Sequence, residues 1–182
     1  MQEFLTWTLE AIREDGTMMS WMEERRFDWC PVTSNAVKQI LDGRTLIIIT
    51  DKQRHWFAQY IATSLNRPTF DRPLMSVICI DHIYPNYDVI IGGERIDMLG
   101  DMLSLAYKDE YFFWYIGKGE DSRADIARRS ENSFIWAIDE EVQNSFWLQS
   151  YDKLLDIKLL QLFHLFERTL NATLFGEIEL TE

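Results

Sequence analysis

The chain has 182 residues, enough for one domain that buries roughly 70% of its unfolded surface without disulfide or metal staples. Thirty acids against eighteen bases leave a formal charge of −12, and the densest cation pairs, Arg25-Arg26 and Arg128-Arg129, both sit beside acids. Nucleic-acid affinity comes largely from Lys and Arg displacing counterions, so direct DNA or RNA binding is not expected. The two cysteines, Cys30 and Cys79, fit a reducing compartment, with Cys79 inside an apolar run as a buried thiol. Met1-Gln2-Glu3 has no basic n-region, and no apolar stretch approaches the ~18 residues of a membrane span, so a cytoplasmic protein is expected.

Residues 1–26 read as helical, because Leu5, Leu9, Ile12, Met19 and Met22 recur near helical spacing. Gly16 falls on that stripe, as either a break between two helices or a point of close helix approach. Phe27, Trp29 and Pro31 then read as a loop, and Ser34 to Leu41 as a second short helix stopped by Asp42-Gly43. Thr45 to Thr50 is a β-branched run, as expected of a strand buried on both faces. His55 to Leu65 is helical, and Leu74 to Ile80 is a second buried strand. Phe112 to Ile116 and Phe134 to Ile138 are a third and a fourth, with Phe146 to Leu148 as a short edge strand. Helices are expected between them over Glu94 to Leu105 and Asp121 to Arg129. A last helix over Tyr151 to Phe175 carries a broad apolar face through Leu155, Leu159, Leu162, Phe163, Phe166, Leu170 and Leu174. That face packs on its own sheet or on another copy of the chain.

Strands alternating with helices predict a mainly parallel sheet covered on both faces. The expected fold is an α/β three-layer sandwich with four or five strands, of the flavodoxin-like kind. It forms one domain over 1–182, with N-terminal helices at 2–41, sheet and crossover helices at 45–148, and the C-terminal helix at 151–175.

In such sheets ligands bind beyond the carboxyl ends of the strands. The turn after the first strand, Asp51-Lys52-Gln53-Arg54-His55, holds no glycine to cradle a phosphate, and Asp51 repels one. Gly92-Gly93 follows Asp88 to Ile91 rather than a clear core strand. Gly117-Lys118-Gly119 lacks both the length and the Lys-Ser/Thr ending of a P-loop and reads as a tight strand exit. Asp81-His82 offers two metal-ligand types, but a site needs three or four convergent ligands and the chain has only three histidines, so no metal is expected. There is no G-x-S-x-G nucleophile elbow, and Glu110, Asp139, Glu140 and Glu141 read as solvated loop acids. No catalytic residue and no cofactor is expected. What remains is Arg54, His55 and Trp56 beside Asp51, residue types favoured at protein interfaces, with core packing of Trp56 and an Asp51–Arg54 pair as the plainer reading.

Four segments carry a family resemblance. They are Arg54-His55-Trp56-Phe57, Ile83-Tyr84-Pro85, the run from Phe113 through Trp114, Tyr115, Ile116 and Gly117 to Lys118, and the block from Leu154 to Glu167, which reads LLDIKLLQLFHLFE. In this order, over nearly the whole chain, they resemble the HobA family, with the C-terminal block the most specific part. The resemblance implies a sugar-isomerase-like (SIS) fold without its sugar site. It also implies a homotetramer that binds the N-terminal domain of the replication initiator DnaA and promotes its assembly at the chromosomal origin, without enzymatic activity. On that reading Asp51, Arg54, His55 and Trp56 are the expected partner contacts, joined by whichever of Trp21, Phe27 and Trp29 are exposed. The alternative is a sugar-phosphate isomerase or sugar-phosphate-binding protein of the same fold.

Overall fold

The computed structural model describes residues 1–68, 72–87, 92–130 and 132–180. Helix α1 (Gln2–Glu14) buries Phe4, Thr8, Ala11 and Ile12 on one face. At Gly16 the chain takes φ 82°, a conformation that penalises a Cβ, and enters a 3₁₀ turn over Thr17–Met19. A Cβ on Gly16 would meet nothing within 4 Å, so the glycine serves the break and not a close approach.

Helix α2 (Met22–Leu41) corrects the expected loop at Phe27, Trp29 and Pro31, since it runs unbroken through Pro31. An interior proline costs about 3 kcal/mol through its missing N–H and ring clash. Against that, Met22, Trp29, Cys30, Val37 and Ile40 are all buried from this one helix, each large apolar side chain contributing about 1.5–3 kcal/mol. The packing outweighs the proline. Gly43, at φ 85°, ends the helix, its N–H donating to Ile40 O at 3.0 Å.

Five parallel strands follow: β1 (Thr45–Thr50), β2 (Val77–Cys79), β3 (Tyr111–Lys118), β4 (Phe134–Ile138) and β5 (Ser145–Leu148), in the order β2-β1-β3-β4-β5. This is the flavodoxin-like order, and it places the topological switch point between β1 and β3. Strand β2 is shorter than the expected Leu74 to Ile80. The Asn66 side chain accepts from Met75 N at 2.8 Å and donates to Met75 O at 2.9 Å, taking both backbone groups away from the ladder. Leu74 is exposed, and Ile80 turns the chain into helix α4 (Ile80–Ile83).

The remaining helices are α3 (His55–Ser64), α5 (Gly93–Tyr107), α6 (Ala124–Arg128) and α7 (Leu155–Leu174), reached through a 3₁₀ turn at Lys52–Arg54 in the case of α3. Alternate strand residues face opposite layers. Leu46, Ile48, Phe112, Trp114, Ile116, Phe134, Trp136 and Ile138 pack under α1, α2, α3 and α7. Ile47, Ile49, Phe113, Tyr115, Ile135 and Ala137 pack under α4, α5 and α6. The aromatic richness goes mostly into the first layer, where Trp114 lies 4.8–4.9 Å from the rings of Phe166, Phe134 and Trp136. Through Phe163 and Phe166 the broad face of α7 meets its own sheet. The expected start of α7 at Tyr151 is corrected to Leu155: ahead of it Asp152 accepts from Leu154 N and pairs with Lys158, holding the preceding residues in a turn. Asp88 to Ile91 lie outside the described residues.

Helix α7 also buries Glu167 beside Arg72, with Arg72 Nη2 at 3.6 Å from Glu167 Oε1. Burial pushes the Glu167 carboxyl up, against the opposing attraction of Arg72. A raised folded-state pKa means that this group favours folding below the ordinary carboxylate range and loses that contribution as pH rises through the folded value. The Glu167→Gln variant cannot ionise. Its urea midpoint relative to wild type is therefore expected to rise between about pH 4 and pH 7, and a flat or falling difference would contradict the burial argument.

Candidate functional site

The switch-point crevice is built from the turn after β1 and the end of β3. Asp51 caps the 3₁₀ turn, accepting from Arg54 N at 3.0 Å with one oxygen and from Arg54 Nη1 at 2.6 Å with the other. That second oxygen also accepts from Lys118 N at 2.9 Å, across the sheet. Both side chains are about 5% exposed, so the plainer reading of this pair is the observed one, a buried clasp and not an open contact surface.

The clasp fills the position where a phosphate-binding turn would be empty. A Cβ on Gly117 would fall 2.7 Å from Tyr115 Oη and 3.0 Å from Asp51 Cβ, so the glycine admits the acid rather than a ligand. Gly119 is likewise crowded by Glu140. Tyr115 donates to Lys118 O at 2.7 Å, and burial, Asp121 and Asp51 hold its hydroxyl in the protonated form. The rim is acidic and internally paired. Asp121 binds Arg123 at 2.7 Å, Arg128 binds Glu140 at 2.7 Å, and Asp139 accepts from Ser150 N, which holds its carboxyl below the usual range. Burial raises the Cys30 thiol to about 11 and, together with Asp81, the Cys79 thiol to about 12, so neither is a thiolate nucleophile at neutral pH.

His55 and Trp56 lie on the outer side of this clasp. Trp56 is 42% exposed, its ring 5.3 Å from that of Phe57, and the exposed His55 places Nε2 3.7 Å from Asp81 Oδ2. The other candidates separate sharply. Phe27 is 56% exposed beneath the Arg26 guanidinium, which lies 4.1 Å from the ring centroid. Trp21 is half-buried, donating to Gln161 Oε1 at 3.0 Å under the Lys158 ammonium. Trp29 is wholly buried against Phe4, so it supports the N-terminal helices from within and is corrected as a direct contact.

Two features escaped the sequence reading. Leu5 and Leu9 are only part-buried, and with Phe27 they line an open groove of about 510 Å³ between α1 and α2. Helix α5 carries a second stripe, Met98, Met102 and Leu105, exposed opposite the buried Ile96, Leu99 and Leu103. Both doubled stripes were present in the helical spacing, but periodicity does not say which stripe faces in.

The geometry defines a class: an open parallel α/β sheet of flavodoxin-like order whose carboxyl-end crevice is closed by an ion pair, with the exposed Trp56 beside it. The profile of HobA, described as a DNA replication regulator, matches residues 1–180, and the chain belongs to that family. It is 32% identical over 188 residues to the DNA replication regulator protein HobA of Helicobacter pylori, covering 99% of this chain and 100% of that protein. The crystal structure of a HobA–DnaA (domain I-II) complex from Helicobacter pylori superposes with a TM-score of 0.73 at 30% identity, covering 98% of this chain and 99% of that one. HobA from the same organism, crystallised as such, gives 0.71 at 29% identity, covering 97% and 98%. Among the described residues no helix is long and apolar enough to cross a membrane.

Proposed function

We propose that this chain binds the N-terminal domain of the initiator DnaA as a non-catalytic homotetramer in the cytoplasm, folding as a single domain and presenting several initiators together for assembly at the origin. The observation that carries this reading is the end-to-end likeness, in sequence and fold, to a HobA solved with DnaA domains I–II. Holding several weakly bound partners on one symmetric body raises their local concentration, and no cofactor is needed for that. The sugar-phosphate alternative has against it a carboxylate, Asp51, at the position a phosphate would need.

On this proposal His55 and Trp56 meet the partner, with Asp51 and Arg54 as the buried base that aims them. Phe27 and Trp21 contribute from the N-terminal helices, at the groove and at the start of α7. Light scattering of the chain mixed with the DnaA N-terminal domain is expected to give a tetramer carrying several initiator domains. A monomeric chain, or a tetramer that takes up none, would overturn the reading. The Trp56→Ala variant is expected to weaken binding by about 2 kcal/mol, roughly 30-fold, while its urea midpoint stays close to wild type. Unchanged affinity would move the contact elsewhere on the surface.

A further inference from the structure

Where β2 gives way to α4, the chain turns so that residues two and three positions beyond Cys79 come back beside its thiol. The ligating atoms of Cys79, Asp81 and His82 all lie within 4.8 Å of one another. Helix α3 closes the other side: His55 Nε2 is 3.7 Å from Asp81 Oδ2, and Gln59 Nε2 is 3.4 Å from His82 Nε2. Cys79 is 1% exposed, Asp81 is part-buried, and the two histidines are open to solvent, so the group runs from a buried thiol to imidazoles at the surface.

We propose that Cys79, Asp81 and His82, completed by His55, bind one divalent transition-metal ion of the zinc class. One sulfur, two imidazoles and one carboxylate suit a borderline-soft, four-coordinate ion, whereas magnesium and calcium call for all-oxygen sets. Tetrahedral coordination needs donor separations of roughly 3.3–3.8 Å, from metal–ligand distances of ~2.0–2.3 Å. The His55–Asp81 pair already meets that spacing. The other two ligands, Cys79 and His82, lie with Asp81 within 4.8 Å of one another, and rotation of the Asp81 and His82 side chains closes the remaining distance. Coordination requires the thiol to release its proton to solvent, so an ion bound here liberates a proton. The ion ties α3 to the β2–α4 junction, one residue from Trp56, and the proposal stands independently of initiator binding.

The counting of histidines along the sequence missed this arrangement because the thiol was assigned to the core and His55 to another element. Only the fold brings Cys79, Asp81 and His82 together and sets His55 against Asp81.

The test is a titration of the tag-free full chain with cobalt(II), followed by absorption, and then displacement by zinc. One cobalt per chain is expected, with the near-ultraviolet sulfur-to-cobalt charge-transfer band and the visible bands of a tetrahedral ion. Cys79→Ser removes the sulfur band, whereas Cys30→Ser, in the buried thiol elsewhere, keeps it. His82→Ala and His55→Ala change exposed side chains, keep the fold, and each weaken the ion by roughly tenfold or more. Zinc raises the melting temperature of wild type and does so much less in His82→Ala, because an ion that binds only the native state stabilises it. The proposal is overturned if folded wild type shows no sulfur-to-cobalt band. It is equally overturned if the band persists in Cys79→Ser or if His82→Ala binds cobalt as tightly as wild type. Should Cys79→Ser fail to fold, the His82→Ala affinity decides.

Discussion

Replacing Asp51 with alanine is expected to cost about 3–5 kcal/mol of folding stability, because it leaves a buried guanidinium without its counter-charge. Arg54 is 5% exposed, and its Nη1 has one other protein acceptor, Gln53 Oε1 at 3.0 Å. The same substitution also strips the acceptor from Lys118 N and leaves Arg54 N only the Asp51 carbonyl at 3.2 Å, so the turn after β1 and the end of β3 loosen together. Urea unfolding of Asp51→Ala, Arg54→Ala and the double variant reads this directly. Each single change should be severe, and the double change less than additive, since removing both charges leaves neither one stranded. Additive losses would mean that the two side chains stabilise the turn separately. Any weakening of partner binding in Arg54→Ala is then expected to follow from folding, whereas the loss in Trp56→Ala is not. That contrast separates the base of the surface from its contacts.

A second large effect is expected at Trp114. Its side chain is fully buried, centred between Phe134 and Trp136 on the sheet and Phe163 and Phe166 on α7. Truncation to alanine removes the transfer free energy of the ring and leaves a cavity that four large neighbours cannot collapse into without leaving their rotamers. A loss of about 3–5 kcal/mol is expected, measured by the urea midpoint with the slope unchanged. Trp114→Phe keeps most of the volume and is expected to lose far less. If the two variants unfolded alike, the indole would owe its stability to something other than packing.

The strands were legible because parallel strands covered on both faces are written as continuous apolar runs, and TLIIIT, FFWYI and FIWAI are such runs. Where local composition misled, the cause was a competing contact from elsewhere in the chain. Pro31 reads as a break, yet the buried face around Trp29 carries the helix through it. Leu74 to Ile80 reads as one long strand, yet the Asn66 side chain claims the backbone of Met75 and ends the ladder. The candidate site divides the same way. The exclusion of a phosphate cradle was readable from the residues after Thr50, and the Asp51–Arg54 pair was readable as one of two possibilities. Which of Trp21, Phe27, Trp29 and Trp56 reach solvent was not, because identical residue types serve core and surface.

By itself the sequence determined the class of fold, the absence of phosphate-cradling glycines after the first strand, and the family, since each of these rests on residue types at short range or on an ordered pattern along the chain. Only the tertiary structure decided that Asp51 and Arg54 form a buried clasp, that Trp29 lies inside while Phe27 and Trp56 lie outside, and that the ligating atoms of Cys79, Asp81 and His82 converge with His55 beside Asp81. Burial and convergence are set by which elements pack together. That depends on contacts between residues distant in the chain, which spacing along it does not encode.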